Sequence, residues 1–125
     1  MNDAYEGWVE QARYDLETAE AMQKAGRWLY VLFCCQQSVE KMLKAIISRK
    51  TKQLPPRIHN LMRLAELAGL TLSEERITLL RKLTAYYLQS RYPEEIADLR
   101  RSATPEMAKK IFEQTGEMVQ WLTSV

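Results

Sequence analysis

The stretch from about Arg27 to Lys50 constrains this chain most. Its first half, Trp28 to Cys35, is apolar on every side of a helix, and its second half keeps a stripe of Val39, Met42, Leu43, Ile46 and Ile47. A helix that is hydrophobic all round has to lie in the middle of something. The apolar run is only eight residues long, far short of a membrane span, so the expected surroundings are other helices of the same chain. With 125 residues and 46% hydrophobic side chains, one domain spanning 1–125 can bury such a core without disulfides or metals. Four glycines and four prolines are too few for a β fold that turns every ten residues or so.

The flanking periodicities supply the partners. Tyr5, Trp8, Val9, Ala12, Leu16 and Ala19 step by three or four, predicting a first helix from Asp3 to Ala25 with Gly26 as its stop. After a loop at Thr51–Pro56, where Pro55-Pro56 cannot be helical, a short third helix is expected over Ile58–Ala68, closed by Gly69. Ser73 caps a fourth helix whose stripe is Ile77, Leu80, Leu83, Tyr87 and Leu88, with Glu74 and Glu75 favoured in its first turn and an end at or before Tyr92, ahead of Pro93. Thr104-Pro105-Glu106 begins a fifth helix carrying Met107, Ala108, Ile111, Phe112, Met118, Val119 and Leu122. The expected architecture is all-α, an up-and-down bundle of four long helices plus a short one. Residues 89–103 are expected to form the one long irregular connection.

Several chemistries are disfavoured. Adjacent Cys34 and Cys35 point about 100° apart on a helix and read as buried free thiols. With a single histidine they make no zinc site, so neither a metal nor a cofactor is expected. The N-terminal segment has no basic n-region or apolar run, which predicts no secretory leader, no membrane and a cytoplasmic setting. The net charge of +2 is unevenly spread. Residues 1–20 hold six acids against Arg13, whereas 41–63 hold seven bases and no acid. That basic stretch either attracts phosphates or pairs with the acidic first helix, a second subunit or solvent.

Three polar clusters remain. Gln37, Glu40, Lys41 and Lys44 recur at helical spacing along one edge of the central helix. They form either an exposed edge with i, i+4 pairs (Gln37–Lys41, Glu40–Lys44) or the lining of a polar cleft. Pro56-Arg57-Ile58-His59-Asn60-Leu61 opens the third helix, where His59 or Asn60 can cap backbone or meet a phosphate. Tyr86-Tyr87-Leu88-Gln89-Ser90-Arg91-Tyr92-Pro93 puts a guanidinium beside aromatics. It can grip phosphate, stack on a base, or simply pair with Glu40, Glu94 or Glu95.

In their order and spacing, these clusters resemble the HEPN domain family over nearly the whole chain. The resemblance rests on Trp8…Ala12-Arg13-Tyr14-Asp15-Leu16…Ala19, on Gly26-Arg27-Trp28-Leu29-Tyr30…Phe33…Gln36-Gln37-Ser38-Val39-Glu40-Lys41…Lys44-Ala45, on His59-Asn60-Leu61 and on Arg91-Tyr92-Pro93. It implies a helical bundle that dimerises, with a nucleotide or RNA context. Many members work with a small nucleotidyltransferase, as its substrate-binding subunit or in a toxin–antitoxin pair. Family members that are metal-independent ribonucleases use an arginine, four to six residues, then a histidine. Here Lys52, Gln53 and Leu54 stand where that arginine would precede His59, so the motif is absent and no enzyme of that kind is expected.

The reading is therefore a homodimeric binding module. Arg91, Tyr92, His59, Gln37, Glu40, Lys41 and Lys44 are its candidate nucleotide- or RNA-binding residues. The alternatives are a ribonuclease in which His59, Glu40 and Arg91 meet in space, and a purely structural dimeric partner. The homodimer is expected because the apolar start of the central helix and Trp8, Trp28 and Trp121 need covering.

Overall fold

A computed structural model describes residues 3–125. Met1 and Asn2, the first residues of the expected 1–125 domain, lie outside the described residues. Six helices follow in order: α1 (Asp3–Lys24), α2 (Trp28–Thr51), α3 (Leu61–Leu67), α4 (Glu74–Thr84), α5 (Pro93–Ser102) and α6 (Pro105–Leu122). No strand occurs among the described residues. The all-α expectation holds, with one helix more than the sequence suggested.

α2 is the central helix, but its most enclosed part is the second half rather than the apolar start, where Tyr30 is 49% exposed and Trp28, Phe33 and Cys34 are half-buried. From Ser38 to Ser48, α2 is buried at every residue except the half-covered Lys41, and Leu32, Met42, Leu43 and Ile46 are fully enclosed. Burying each such side chain contributes about 1.5–3 kcal/mol. α1 lies along α2, α6 packs beside it, and α3 and α4 close its second half. α1 stops at Gly26 (φ +71°), where Gly26 N–H donates to the Gln23 carbonyl and Arg27 N–H to the Met22 carbonyl. This left-handed helix stop suits glycine, which has no Cβ to clash. Gly69 repeats the device after α3, with Leu70 N–H reaching the Ala65 carbonyl.

Three boundaries differ from the sequence reading, each for a physical reason. α3 starts at Leu61 rather than Ile58, because the Asn60 side chain accepts the Arg63 N–H and is its cap. His59 therefore precedes the helix. α4 ends at Thr84, before the apolar stripe does. From there Tyr86 dives into the core and bonds Ser102 Oγ at 2.7 Å, a tertiary contact that overrides the local helical pattern. The expected irregular connection over 89–103 is instead largely α5. Pro93 sits at its first position, and the Glu95 carboxylate accepts the Tyr92 N–H at 3.2 Å, half of a capping box. Ile96 and Leu99 turn toward the core beneath the charged face.

Candidate functional site

The polar edge of α2 is not exposed. Glu40 is 5% and Lys44 6% accessible, and Gln36 is fully buried. A carboxylate taken out of water has to be matched by hydrogen-bond donors, and Glu40 has four contacts of that kind. Gln36 Nε2 donates to its Oε1 at 2.9 Å, and Lys44 Nζ to its Oε2 at 3.1 Å. His59 Nδ1 lies 3.1 Å from both oxygens. The Lys44 ammonium also sits 5.8 Å from the centre of the Trp8 ring, which helps to hold a cation away from solvent.

These contacts orient the imidazole. An ionised carboxylate only accepts, so Nδ1 carries the proton that faces Glu40. Nε2 has no hydrogen-bond partner among the described residues, and the side chain is 43% exposed. The opposite constraint comes from Tyr87, whose ring stacks on His59 with centroids 3.9 Å apart and planes 13° from parallel. Phe33 backs Tyr87 at 6.3 Å. Burial and the nearby Glu40 charge raise the Tyr87 phenol above its usual value, so it stays protonated and donates to Gln89 Oε1 at 3.0 Å. His59 is thus clamped between a buried carboxylate and an aromatic face, with its Nε2 edge free.

The expected i, i+4 pairing is half right. Glu40–Lys44 forms, but Gln37 donates to Gln36 Oε1 at 2.7 Å rather than meeting Lys41. Lys41 instead reaches Asp15 on α1 at 2.6 Å. Ser38 Oγ, bonding the Ala12 carbonyl at 2.7 Å, pins the same helix pair. Beside this ion pair, burial and the Asp15 charge push the Cys34 thiol up to about 11. Burial raises Cys35 to about 12. Neither is a ready nucleophile.

Arg91 and Tyr92 occupy the same 85–92 turn as Tyr87 but make no contact with Glu40. Arg91 NH2 donates to the Ala85 carbonyl at 3.0 Å, and NH1 pairs with Glu95 Oε2 at 3.2 Å. The guanidinium is one-third exposed, and its buried Nε is unpaired. The Tyr92 N–H and the Arg91 guanidinium hold the Glu95 carboxyl below the usual carboxylate range. The Tyr92 side chain is 76% exposed. Of the bases in 41–63, Lys41, Lys44, Arg49, Lys50 and Arg63 each have a partner within the chain, Lys50 and Arg63 at the surface. Lys50 Nζ reaches the Ala68 carbonyl, Arg49 stacks on Tyr5, and Arg63 pairs with Glu66. Lys52 and Arg57, in the exposed loop that leads to His59, have no partner among the described residues. Leu61 N–H meets Thr84 Oγ1 at 3.4 Å, so this loop and the end of α4 share one rim.

Sequence reasoning underrated Tyr87, Asp15 and Gln36. Tyr87 was assigned to a core stripe, and nothing in a one-dimensional pattern signals a ring–ring stack between distant segments. Asp15 was signalled by the acidic bias of the first helix and by the motif around it, but neither names Lys41 as its partner.

Comparison with known proteins points in one direction. The family model described as the HEPN domain matches residues 5–125. No curated protein sequence matches. The crystal structure of TT1696 from Thermus thermophilus superposes with a TM-score of 0.79 at 26% identity, covering 99% of this chain and 98% of that one. The structure of ST0689, described as an archaeal HEPN homologue, superposes with a TM-score of 0.74 at 24% identity over 96% and 95% of the two chains, which speaks for the fold.

Proposed function

This chain belongs to the HEPN domain family, and from that premise we propose that it is a binding module for nucleotide or RNA that works beside a nucleotidyltransferase-type partner. The single observation that supports the ligand most is the His59 arrangement. An exposed imidazole is stacked on Tyr87, fixed through Nδ1 by buried Glu40 and left with Nε2 unpaired among the described residues. Side chains held in one rotamer by packing and hydrogen bonds present a preorganised edge to a ligand. Unpaired Lys52 and Arg57 precede His59 in its loop and attract phosphate. Exposed Tyr92 offers a face on which a base can stack.

The remaining candidates then divide by role. His59, Tyr92 and the open edge of Arg91 contact the ligand. Glu40 and Lys44 position His59, Gln37 joins them through Gln36, and Lys41 ties α2 to α1. The partner protein, a toxin–antitoxin pairing and the homodimer rest on family kinship. The tryptophan argument for a dimer weakens, because each tryptophan is partly covered within one chain, Trp121 by Arg76 stacked at 3.9 Å.

Fluorescence anisotropy with a labelled single-stranded RNA tests the reading. Wild-type protein binds, and His59→Ala weakens binding at least tenfold in a protein whose helical circular dichroism is unchanged. Equal binding by the two folded proteins would end the ligand role of His59, and an absence of binding by either would leave a purely structural partner.

The Glu40–His59 contact favours a second reading, a metal-independent ribonuclease with a site of its own. His59 Nε2 would take the proton of a ribose 2′-hydroxyl, whose oxygen attacks phosphorus as the bond to the 5′-oxygen breaks and that oxygen takes up a proton. Arg91 is held by Ala85 and Glu95 rather than beside Glu40, so the meeting of all three residues that the ribonuclease alternative called for does not form. RNA incubated in chelator should then yield 2′,3′-cyclic phosphate ends. Intact RNA disposes of this reading and leaves binding untouched.

A further inference from the structure

The loop between α2 and α3 carries the most exposed large hydrophobic side chain among the described residues, Leu54, at 88%. Its neighbours hold it there. Lys52, at φ +56°, ends α2 in the left-handed conformation, with its N–H donating to the Ser48 carbonyl at 2.8 Å. Thr51 Oγ1 accepts the Gln53 N–H at 3.2 Å. On the other side Pro55 is buried, both prolines fix their own φ, and His59 is bonded to Glu40. A leucine supported on both sides loses little freedom on docking, which favours a contact. Lys52 and Arg57 flank it, and neither side chain is paired among the described residues. The loop is an apolar tip between two cations.

The outer side of α1 has the opposite character. A hollow of about 440 Å³ is lined there by Glu6, Val9, Glu10, Arg13, Tyr14 and Glu17, all of them on α1. The charged four recur at helical spacing along one stripe, three carboxylates against one guanidinium. Buried Val9 is the floor, and Tyr14, largely exposed, stands at the side. Asp15, on another face of the same helix, is paired with Lys41, whereas Glu6, Glu10 and Glu17 are in no ion pair among the described residues. α1 packs on α2 and lightly on α6, and no other element of the chain covers this side. An apolar floor inside an acidic rim is the complement of an apolar tip between two cations, and the two do not meet within one chain, since Leu54 stands in solvent.

We propose that a second copy of this chain seats its Leu54 loop in this hollow, with Leu54 over Val9 and with Lys52 and Arg57 among Glu6, Glu10 and Glu17. Opposite charge on the two surfaces sets the register of such a contact. Arg49, near the end of α2, stacks on Tyr5, near the start of α1, so loop and hollow lie toward one end of the helix pair. A two-fold axis at that end exchanges the loops reciprocally and closes the assembly as a dimer. This goes beyond the homodimer that family kinship implies, because the docked copy covers the two cations that attract phosphate beside His59. In that respect it rests on the RNA reading: RNA and a second copy compete for this loop.

Sedimentation velocity of the full chain at micromolar concentration is the test. Wild-type protein is dimeric at low ionic strength, and added salt weakens the dimer. Leu54→Asp and Glu10→Lys each raise the dissociation constant at least tenfold. Combining Glu10→Lys with Arg57→Glu restores part of the pairing that either change alone removes. Glu117→Lys, in the less acidic hollow between α4 and α6, leaves the dimer as it was. All four side chains are exposed, and circular dichroism verifies that each variant is folded. Monomer alone overturns the proposal. So does a dimer unmoved by Leu54→Asp or Glu10→Lys, because another face then joins the copies. Single-stranded RNA should convert dimer to monomer, and RNA bound to an intact dimer overturns the competition. Wild-type protein that binds no RNA ends the RNA reading and leaves the docking standing.

Discussion

The polar residues of α2 and those of the 85–92 turn look alike in sequence, yet the fold uses them in opposite ways. Along the α1–α2 seam, Gln36, Glu40 and Lys44 are buried, Asp15 and Lys41 are partly covered, and all are matched within the seam. In the turn, Arg91 is bonded to its own neighbourhood, Ala85 and Glu95, while Tyr92 stands in solvent. The seam fixes positions and the turn presents surfaces. His59 is where the two meet, bonded to the seam through Glu40 and stacked on the turn through Tyr87. A charge in the seam is therefore a structural requirement, whereas a charge in the turn can be changed without loss of the fold.

The sharpest way to break this contrast is Glu40→Ala. It leaves the Lys44 ammonium buried without its counter-charge and frees His59, so stability should fall by about 3–5 kcal/mol in urea unfolding. A loss under about 1 kcal/mol would mean that water reaches the seam. Alkylation by iodoacetamide reads the seam differently. With the Cys34 thiol raised to about 11, its thiolate is about 100-fold scarcer near neutrality than that of an unperturbed cysteine. Folded protein should therefore react slowly, and Asp15→Asn should speed the reaction by removing a charge that raises the thiol.

In the turn, Arg91→Ala should cost about 1 kcal/mol through the lost hydrogen bond to the Ala85 carbonyl. Measured on the same sample, RNA binding per folded molecule should also drop if the open edge of Arg91 touches ligand, and should stay intact if the residue only braces the turn. The smallest effect belongs to Glu95. Its carboxyl is held below the ordinary carboxylate range when folded, so its contribution is present above that range and lost as pH falls through the lowered value. Amide exchange at Tyr92 should therefore quicken relative to α2 in acid, and Glu95→Gln should abolish that difference.

Much of the fold was legible because it follows local rules. The glycine stops at Gly26 and Gly69 and the caps at Ser73 and Thr104 all read directly from the chain and all stand in the structure, whereas the apolar run Trp28–Cys35 is enclosed on one side only, with Tyr30 in solvent. α5 was missed, although Pro93, Glu95, Ile96 and Leu99 carried its signal, because its charge concealed a helix with only one lightly buried face. The end of α4 was not legible, since Tyr86 leaves the helix for a partner sixteen residues away. The candidate site was half legible. Helical spacing put Glu40 beside Lys44, but spacing cannot reveal that the edge is covered by Trp8 and Asp15, or that His59 closes over it.

The most direct test of the central claim uses the fact that the chain has one histidine. The proton on its imidazole Cε1 gives a single resolved signal in a nuclear magnetic resonance spectrum. Titration with a short single-stranded RNA should move that signal progressively to saturation, with Tyr87 ring protons moving alongside it. A signal that stays in place while other resonances shift, or while nothing shifts at all, contradicts the account.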